Sequence, residues 1–224
     1  MHETAETVGT TDEALAAALA VELNTGFEAL ARVYAGRLCA FTRRMAPSRE
    51  DAEELAEDAL VRAYRALAGY DAERRRSLRL RPWLFAIAVN VCRNFARRRG
   101  LAMRSLDVPT RDGEVALPEP EADGRERPDE QVDAAETRRE LVAAIAGLPE
   151  HLRMAVVLRH VEGMSYAEAA EALCAPVGTV KAQVHRGTRL LRVALEGRGG
   201  LSANGADDES GIGHGVPARR RVAR

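Results

Sequence analysis

Histidine and cysteine are the side chains of this 224-residue chain best suited to catalysis or metal binding, and their spacing supports neither. His2, His151, His160, His185 and His214 have no cysteine or carboxylate partner at ligand or triad spacing, and no glycine-rich phosphate-binding pattern is present. Cys39, Cys92 and Cys174 are odd in number, far apart and outside any CxxC pair. That excludes a disulfide scaffold and points to thiols in a reducing compartment. All three are expected as core filler; Cys92, beside Val91 on an apolar-striped helix, is expected to be buried rather than reactive. Consecutive acids at 50–58 read as a solvated helix face, not a divalent-cation site. No catalytic residue, metal or cofactor is therefore expected.

Other side chains suit a different chemistry. Residues 164–173, MSYAEAAEAL, place Ser165 and Glu168 at capping-box spacing before a short helix. A tight Cys174-Ala175-Pro176 connection follows, and a second helix opens at Val177. This is a helix-turn-helix pattern. On the second helix Val177, Val180, Val184 and Leu191 fall on one side, whereas Lys181, Ala182, His185, Arg186 and Arg189 face the other, with Thr179 at its edge and Gln183 between. That outward arc holds cations and donors but no acid. A helix seated in a DNA major groove needs this combination, because phosphates require positive charge and base edges require hydrogen-bonding groups.

A second polar face lies upstream. Asn90, Arg93 and Arg97 stand opposite an apolar stripe with Asn94 on the flank, and Trp83 opens the same helix close to Arg74, Arg75, Arg76, Arg79 and Arg81. Asparagine amides can read base edges and an aromatic ring among cations can stack an unpaired base, so single-stranded or distorted DNA is the natural ligand.

The net charge of −1 conceals strong segregation. Residues 50–58, EDAEELAED, carry six acids and no base, while residues 74–99 carry nine arginines and no acid. One face suits a basic protein surface and the other a polyanion.

Helical periodicity supplies the elements that must position these groups. Phe27, Leu30, Ala31, Tyr34, Leu38 and Phe41 form one stripe; Leu55, Ala59, Leu60, Ala63, Tyr64 and Leu67 form a second, after a Ser48 N-cap; Leu84, Ile87, Ala88, Val91 and Phe95 form a third, with Pro82 in its first turn. Residues 101–133 combine four prolines, two glycines and ten acids without a sustained apolar period, which reads as a flexible linker. Pattern resumes at Leu141, breaks at Pro149 and again at Glu162-Gly163-Met164, so four short helices fit 135–196. The Gly-rich tail has no aromatic residue and ends in a basic run.

The expected fold is all-α: a flexible acidic N-terminus (1–24), a helical domain (25–100), an acidic linker (101–134), a helix-turn-helix domain of four helices (135–196) and a disordered tail (197–224). With no basic-then-apolar leader and no apolar run near 18 residues, no membrane insertion and a cytoplasmic location are expected.

Residues 49–67, 81–99, 148–173 and 175–192 resemble, in order and wording, the extracytoplasmic-function (ECF) group of the sigma-70 family of bacterial RNA polymerase sigma factors. The resemblance implies two conserved-region equivalents, over about 25–99 and 140–195. By it, Asp51, Glu54, Glu57 and Asp58 form the segment that docks on core RNA polymerase. This chain reads Glu57-Asp58-Ala59-Leu60 where members often have Gln-Glu-x-Phe. Arg79, Arg81, Trp83, Asn90, Arg93, Asn94 and Arg97 correspond to the surface that reads the minus 10 promoter element, with the 74–82 loop at a flipped-base pocket. Thr179, Lys181, Ala182, Gln183, His185, Arg186 and Arg189 correspond to the helix that reads minus 35, and the acidic linker to a segment threaded near the polymerase active centre. Partners implied are core polymerase, promoter DNA and an anti-sigma protein. The rival readings are a stand-alone helix-turn-helix repressor or activator and a helical interaction protein without DNA contacts.

Overall fold

The computed structural model describes the backbone of residues 3–105 and 128–199, with side chains from 11–100 and 137–196. Among them every regular element is helical. The first unit runs α1 (Glu3–Val21), α2 (Leu23–Arg43), α3 (Arg49–Ala68), the short α4 (Ala72–Arg76) and α5 (Leu80–Ser105). The second comprises α6 (Pro128–Ala146), α7 (Glu150–Val156), a π-helical turn (Val157–Val161), α8 (Tyr166–Leu173) and α9 (Val177–Gly199).

Local chemistry sets the helix limits. Ser48 Oγ accepts from Asp51 N at 3.1 Å and starts α3 as its sequence predicts. Thr42, fully buried at the end of α2, donates its hydroxyl to the Ala52 carbonyl at 2.7 Å. That bond fixes the α2–α3 corner. Leu30, Tyr34, Leu38 and Phe41 of α2 meet Leu55, Ala59, Ala63 and Leu67 of α3 in the core, and Phe41 packs edge-to-face on Phe85 with centroids 5.5 Å apart. Tyr64, expected in the α3 stripe, sits at its rim, donating to Asn24 Oδ1 at 2.8 Å.

Three expectations need correction. The N-terminal segment is not a flexible arm throughout: α1 buries Leu15, Ala16 and Leu19 against α2 and α4. The approach is close, since a Cβ at Gly26 would stand 2.6 Å from Leu19 N. Tyr34 donates to the Asp12 carboxylate, whose pKa burial raises. The stripe of α5 is also broader than read. Leu84, Ala88 and Val91 are buried, yet so are Phe85, Val89 and Cys92, while Ile87 and Phe95 are half-exposed. The reason is that α5 packs against α3 and also against α8. Finally, α5 and α6 extend to Ser105 and from Pro128, so both ends of the expected linker are helical. The linker core, 106–127, and the tail from 200 lie outside the described residues.

The second unit does not stand apart from the first. Ala169, Ala170, Ala172 and Leu173 of α8 belong to the same apolar cluster as Leu84, Ala88 and Cys92 of α5. Small alanines let the two helices approach closely.

Candidate nucleic-acid and polymerase interfaces

The helix-turn-helix is built as its sequence dictates. Glu168 N donates to Ser165 Oγ at 3.2 Å and Ser165 N to Glu168 Oε2 at 2.8 Å, a reciprocal cap that starts α8. The turn is made by Cys174, whose φ of 51° and ψ of 47° lie in the left-handed region. Its thiol is exposed, contrary to the expectation of core filler, because this conformation turns the chain away from the α8 core. Cys92 is buried as expected, and burial pushes its thiol up to about 12. At pH 8, alkylation is therefore expected at Cys174 first and at Cys92 last, the latter only as fast as the protein opens. Equal rates measured by mass spectrometry would contradict this burial.

On α9, Val180 and Val184 are buried and Gly187 lies against α7. Val177, expected on the packed side, is 41% exposed at the first position of α9. Thr179, Lys181, Ala182, His185, Arg186 and Arg189 all face solvent, with Gln183 half-buried. Lys181 Nζ lies 5.7 Å from the Tyr166 ring centroid and Arg159 Cζ 5.0 Å from the same ring. Neither Arg186 nor Arg189 forms an ion pair among the described residues. The outer face of α9 is thus cationic and open.

The upstream face divides into two parts. Asn90 and Arg97 are exposed, Asn94 is half-buried and accepts from Arg97 Nη2 at 2.9 Å. Trp83 is half-buried with its ring centroid 6.3 Å from that of Tyr70, over which Arg74 Cζ sits at 4.0 Å. These groups share one surface. Arg79, Arg81 and Arg93 instead turn to the second unit. Arg79 pairs with the Glu171 carboxylate, Arg93 Nη1 donates to the Leu173 carbonyl at 3.3 Å, and Arg81, 7% exposed, donates to the Glu162 carbonyl. Arg81 was expected on the DNA side; in this arrangement it is interior.

Along α3, Glu54 and Glu57 are exposed and without an ion pair among the described residues. Asp51 accepts from Ser48 Oγ at 2.7 Å and faces Arg99 at 3.5 Å, and Asp58 accepts from Arg62 Nε at 2.8 Å. The uncompensated negative charge of the helix is therefore centred on 54 and 57.

Sequence reading missed Glu162. In the sequence it stands only as part of a helix break, yet it is 7% exposed and its carboxylate accepts from Arg37 Nε at 3.2 Å and Nη2 at 3.1 Å. Gly163 beside it has φ of +66°, which lets the chain reverse there. A signal was present: an acid at a helix C-terminus opposes the helix dipole, so it calls for a cationic partner elsewhere. Among the described residues no group of three His, Cys, Asp or Glu side chains could hold a metal ion, and no helix is long and apolar enough to cross a membrane.

An all-helical chain that joins a helix-turn-helix with an open cationic face to a unit bearing an acidic helix beside an Asn/Arg helix has the build of a DNA-binding transcription protein. Residues 30–101 match the family described as Sigma-70 region 2, and residues 138–191 match Sigma-70, region 4. The ECF RNA polymerase sigma-E factor of Escherichia coli (strain K12) is 31% identical over 160 residues, covering 71% of this chain and 81% of that protein. The RNA polymerase sigma-H factor of Pseudomonas aeruginosa is 29% identical over 170 residues, covering 76% and 86%. The chain belongs to the ECF group of the sigma-70 family. Its fold is also similar to that of the sigma factor RpoE from Bartonella quintana, solved in complex with the anti-sigma factor NepR, with a TM-score of 0.61 at 23% identity over 76% of this chain and 96% of that one.

Proposed function

We propose that this chain is a promoter-specificity subunit that docks on core RNA polymerase through α3, reads the minus 10 element with α5 and the minus 35 element with α9, and performs no chemistry of its own. The observation that carries the reading is the side-by-side placement of an unpaired acidic face, Glu54 and Glu57, and a polar, acid-free face, Asn90, Asn94 and Arg97, in one helical unit. A stand-alone repressor needs only the helix-turn-helix. Asp51 and Asp58 flank the docking face, and Trp83, Asn90, Asn94 and Arg97 form the base-reading surface, with Arg79, Arg81 and Arg93 of the same surface engaged by the second unit in this arrangement. Thr179, Lys181, Ala182, Gln183, His185, Arg186 and Arg189 form the duplex-reading surface. The protein works in the cytoplasm with polymerase, promoter DNA and an anti-sigma protein as partners.

Run-off transcription with core polymerase on genomic fragments tests this. Discrete promoter-dependent transcripts are expected only when the chain is added; duplex binding without transcripts would favour the repressor. Arg186→Ala is expected to weaken minus 35 duplex binding by about 1–3 kcal/mol and to relax preference at one base pair, if Arg186 is bidentate to a guanine. Binding titrations against single-base variants read this, and uniform weakening would make Arg186 a phosphate contact instead.

A further inference from the structure

A cleft of about 450 Å³ lies where the corner between α2 and α3 and the last turns of α5 face α6 and α7. Small-molecule sites occupy about 300–1,000 Å³, so the volume is of the right order for one compound. Met45, Phe95, Val142 and Ile145 give the cleft apolar walls, and Arg43, Arg44, Arg99 and Arg153 line it as well, whereas no aspartate or glutamate does. Arg99 reaches Asp51 at 3.5 Å, but Arg43, Arg44 and Arg153 form no ion pair among the described residues. Arg153 bonds only to backbone: its Nε and Nη2 donate to the Leu148 carbonyl at 3.3 and 3.0 Å, and its Nη1 to the Arg44 carbonyl at 3.2 Å. Arg44 Nη1 donates to the Ala40 carbonyl. Carbonyls satisfy hydrogen bonds without cancelling a formal charge. Burial lowers the pKa of Arg44 and of Arg153, and the acids that act on them, Glu162 and Glu150, do not line the cleft; Glu162 is already paired with Arg37. Three positive charges thus border an apolar cleft that supplies them no counter-charge.

We propose that this cleft binds a small anionic amphiphile, with a carboxylate or phosphate head among Arg43, Arg44 and Arg153 and a hydrocarbon body against Phe95, Val142 and Ile145. Each half of such a molecule answers one half of the cleft. An apolar compound alone leaves the half-buried guanidinium groups uncompensated, and a bare anion leaves the apolar walls in water. Guanidinium is also the side chain whose planar fork of donors fits a carboxylate or a phosphate. Because the walls come from α2, α5, α6 and α7, the cleft accepts a single molecule rather than the face of a bilayer. A bound amphiphile touches both helical units and stabilises their junction, since it binds the folded chain and not the unfolded one. The site is separate from the proposed polymerase and promoter contacts: neither Glu54, Glu57, Asn90 and Asn94 nor the outer face of α9 lines it.

The test uses the full chain, isothermal titration calorimetry, and decanoate and decyl phosphate kept below the concentrations at which they aggregate. At least one of the two is expected to bind as a single molecule per chain, about tenfold or more tightly than decanol, which lacks the charge, and than acetate or inorganic phosphate, which lack the body. At saturation it is expected to raise the melting temperature by about 2 °C or more. Arg43→Gln, at a side chain with no ion pair of its own, is expected to weaken the anionic compound about fivefold or more and to leave decanol unchanged. Ala146 lines the cleft and is exposed, so Ala146→Trp narrows it without entering the core and is expected to abolish binding. Helical circular dichroism verifies folding, and either folded variant decides by itself. Absence of binding by both anionic compounds overturns the proposal, as does equal binding of decanol, acetate or inorganic phosphate. Binding that the folded variants leave unchanged puts the compound elsewhere and overturns this site. Association with phosphatidylglycerol vesicles without binding of the monomeric compounds overturns it too, and assigns the arginines to a membrane surface.

Discussion

Glu54→Arg with Glu57→Arg is expected to abolish co-purification with core polymerase, weakening the complex at least about a hundredfold, while helical content stays at the wild-type level. Close interfacial charge pairs couple by about 1.5–7 kcal/mol when they can be measured, and reversal replaces attraction with repulsion at two neighbouring sites. Both residues are exposed and unpaired, beyond the first turn of α3, and off its buried Leu55/Ala59 stripe. Surface changes of that kind leave stability within about 0.5 kcal/mol. Asp51 and Asp58 are poorer targets because each already has an arginine, and Asp51 also accepts a bond from Ser48. Unchanged pull-down by the double variant would remove α3 as the docking element. Raising salt should weaken the wild-type complex and leave the variant's residual binding little altered.

Gly187→Val carries the second large effect. A Cβ at 187 would stand 2.4 Å from Val156 Cγ2 and 3.5 Å from the Leu152 carbonyl oxygen. Val156 is itself buried on α7, so relief requires α7 and α9 to separate. Overpacking of this sort costs about 1–3 kcal/mol, and a β-branched side chain falls at the upper end. The expected result is a melting temperature lower by roughly 3–10 °C, with loss of minus 35 duplex binding as α9 is displaced. Gly178→Ala is the matched control. Its Cβ would meet nothing within 4 Å, so it should be neutral or slightly stabilising. An unaltered melt for Gly187→Val would mean that the α7–α9 contact is looser than its geometry.

Local signals in the sequence translated well because local chemistry is what they encode. The Ser48 and Ser165 caps, the α2 stripe and the exposed arc of α9 each depend on residues within a few turns of one another. What was not legible depends on partners distant in sequence. The periodicity of the third stripe marks one face of α5, but a helix packed on two sides buries Phe85, Val89 and Cys92 as well. The apolar positions of α1, Leu15 and Leu19, are too few to stand out among acids and alanines until α2 and α4 supply a surface. Arg81 and Glu162 illustrate the same limit on the functional side, since 81 residues separate the two. Composition places an arginine in a basic run; only the tertiary fold turns it inward.

The seating of α1 has a consequence for parts of the chain distant from it. Leu19 contributes its carbonyl to Arg75 Nη1 at 3.3 Å, while Arg75 Nε donates to the Leu67 carbonyl at 2.9 Å, so one side chain of α4 fastens the first helix to the end of the third. A lone helix of this length is marginal in water, and its buried side needs α2 and α4 to exist. Helix α1 therefore holds its place only where α2 and α4 together offer it a surface. Loss of Leu19 would be felt at Arg75 of α4, 56 residues further along the chain, as well as at the neighbouring α2.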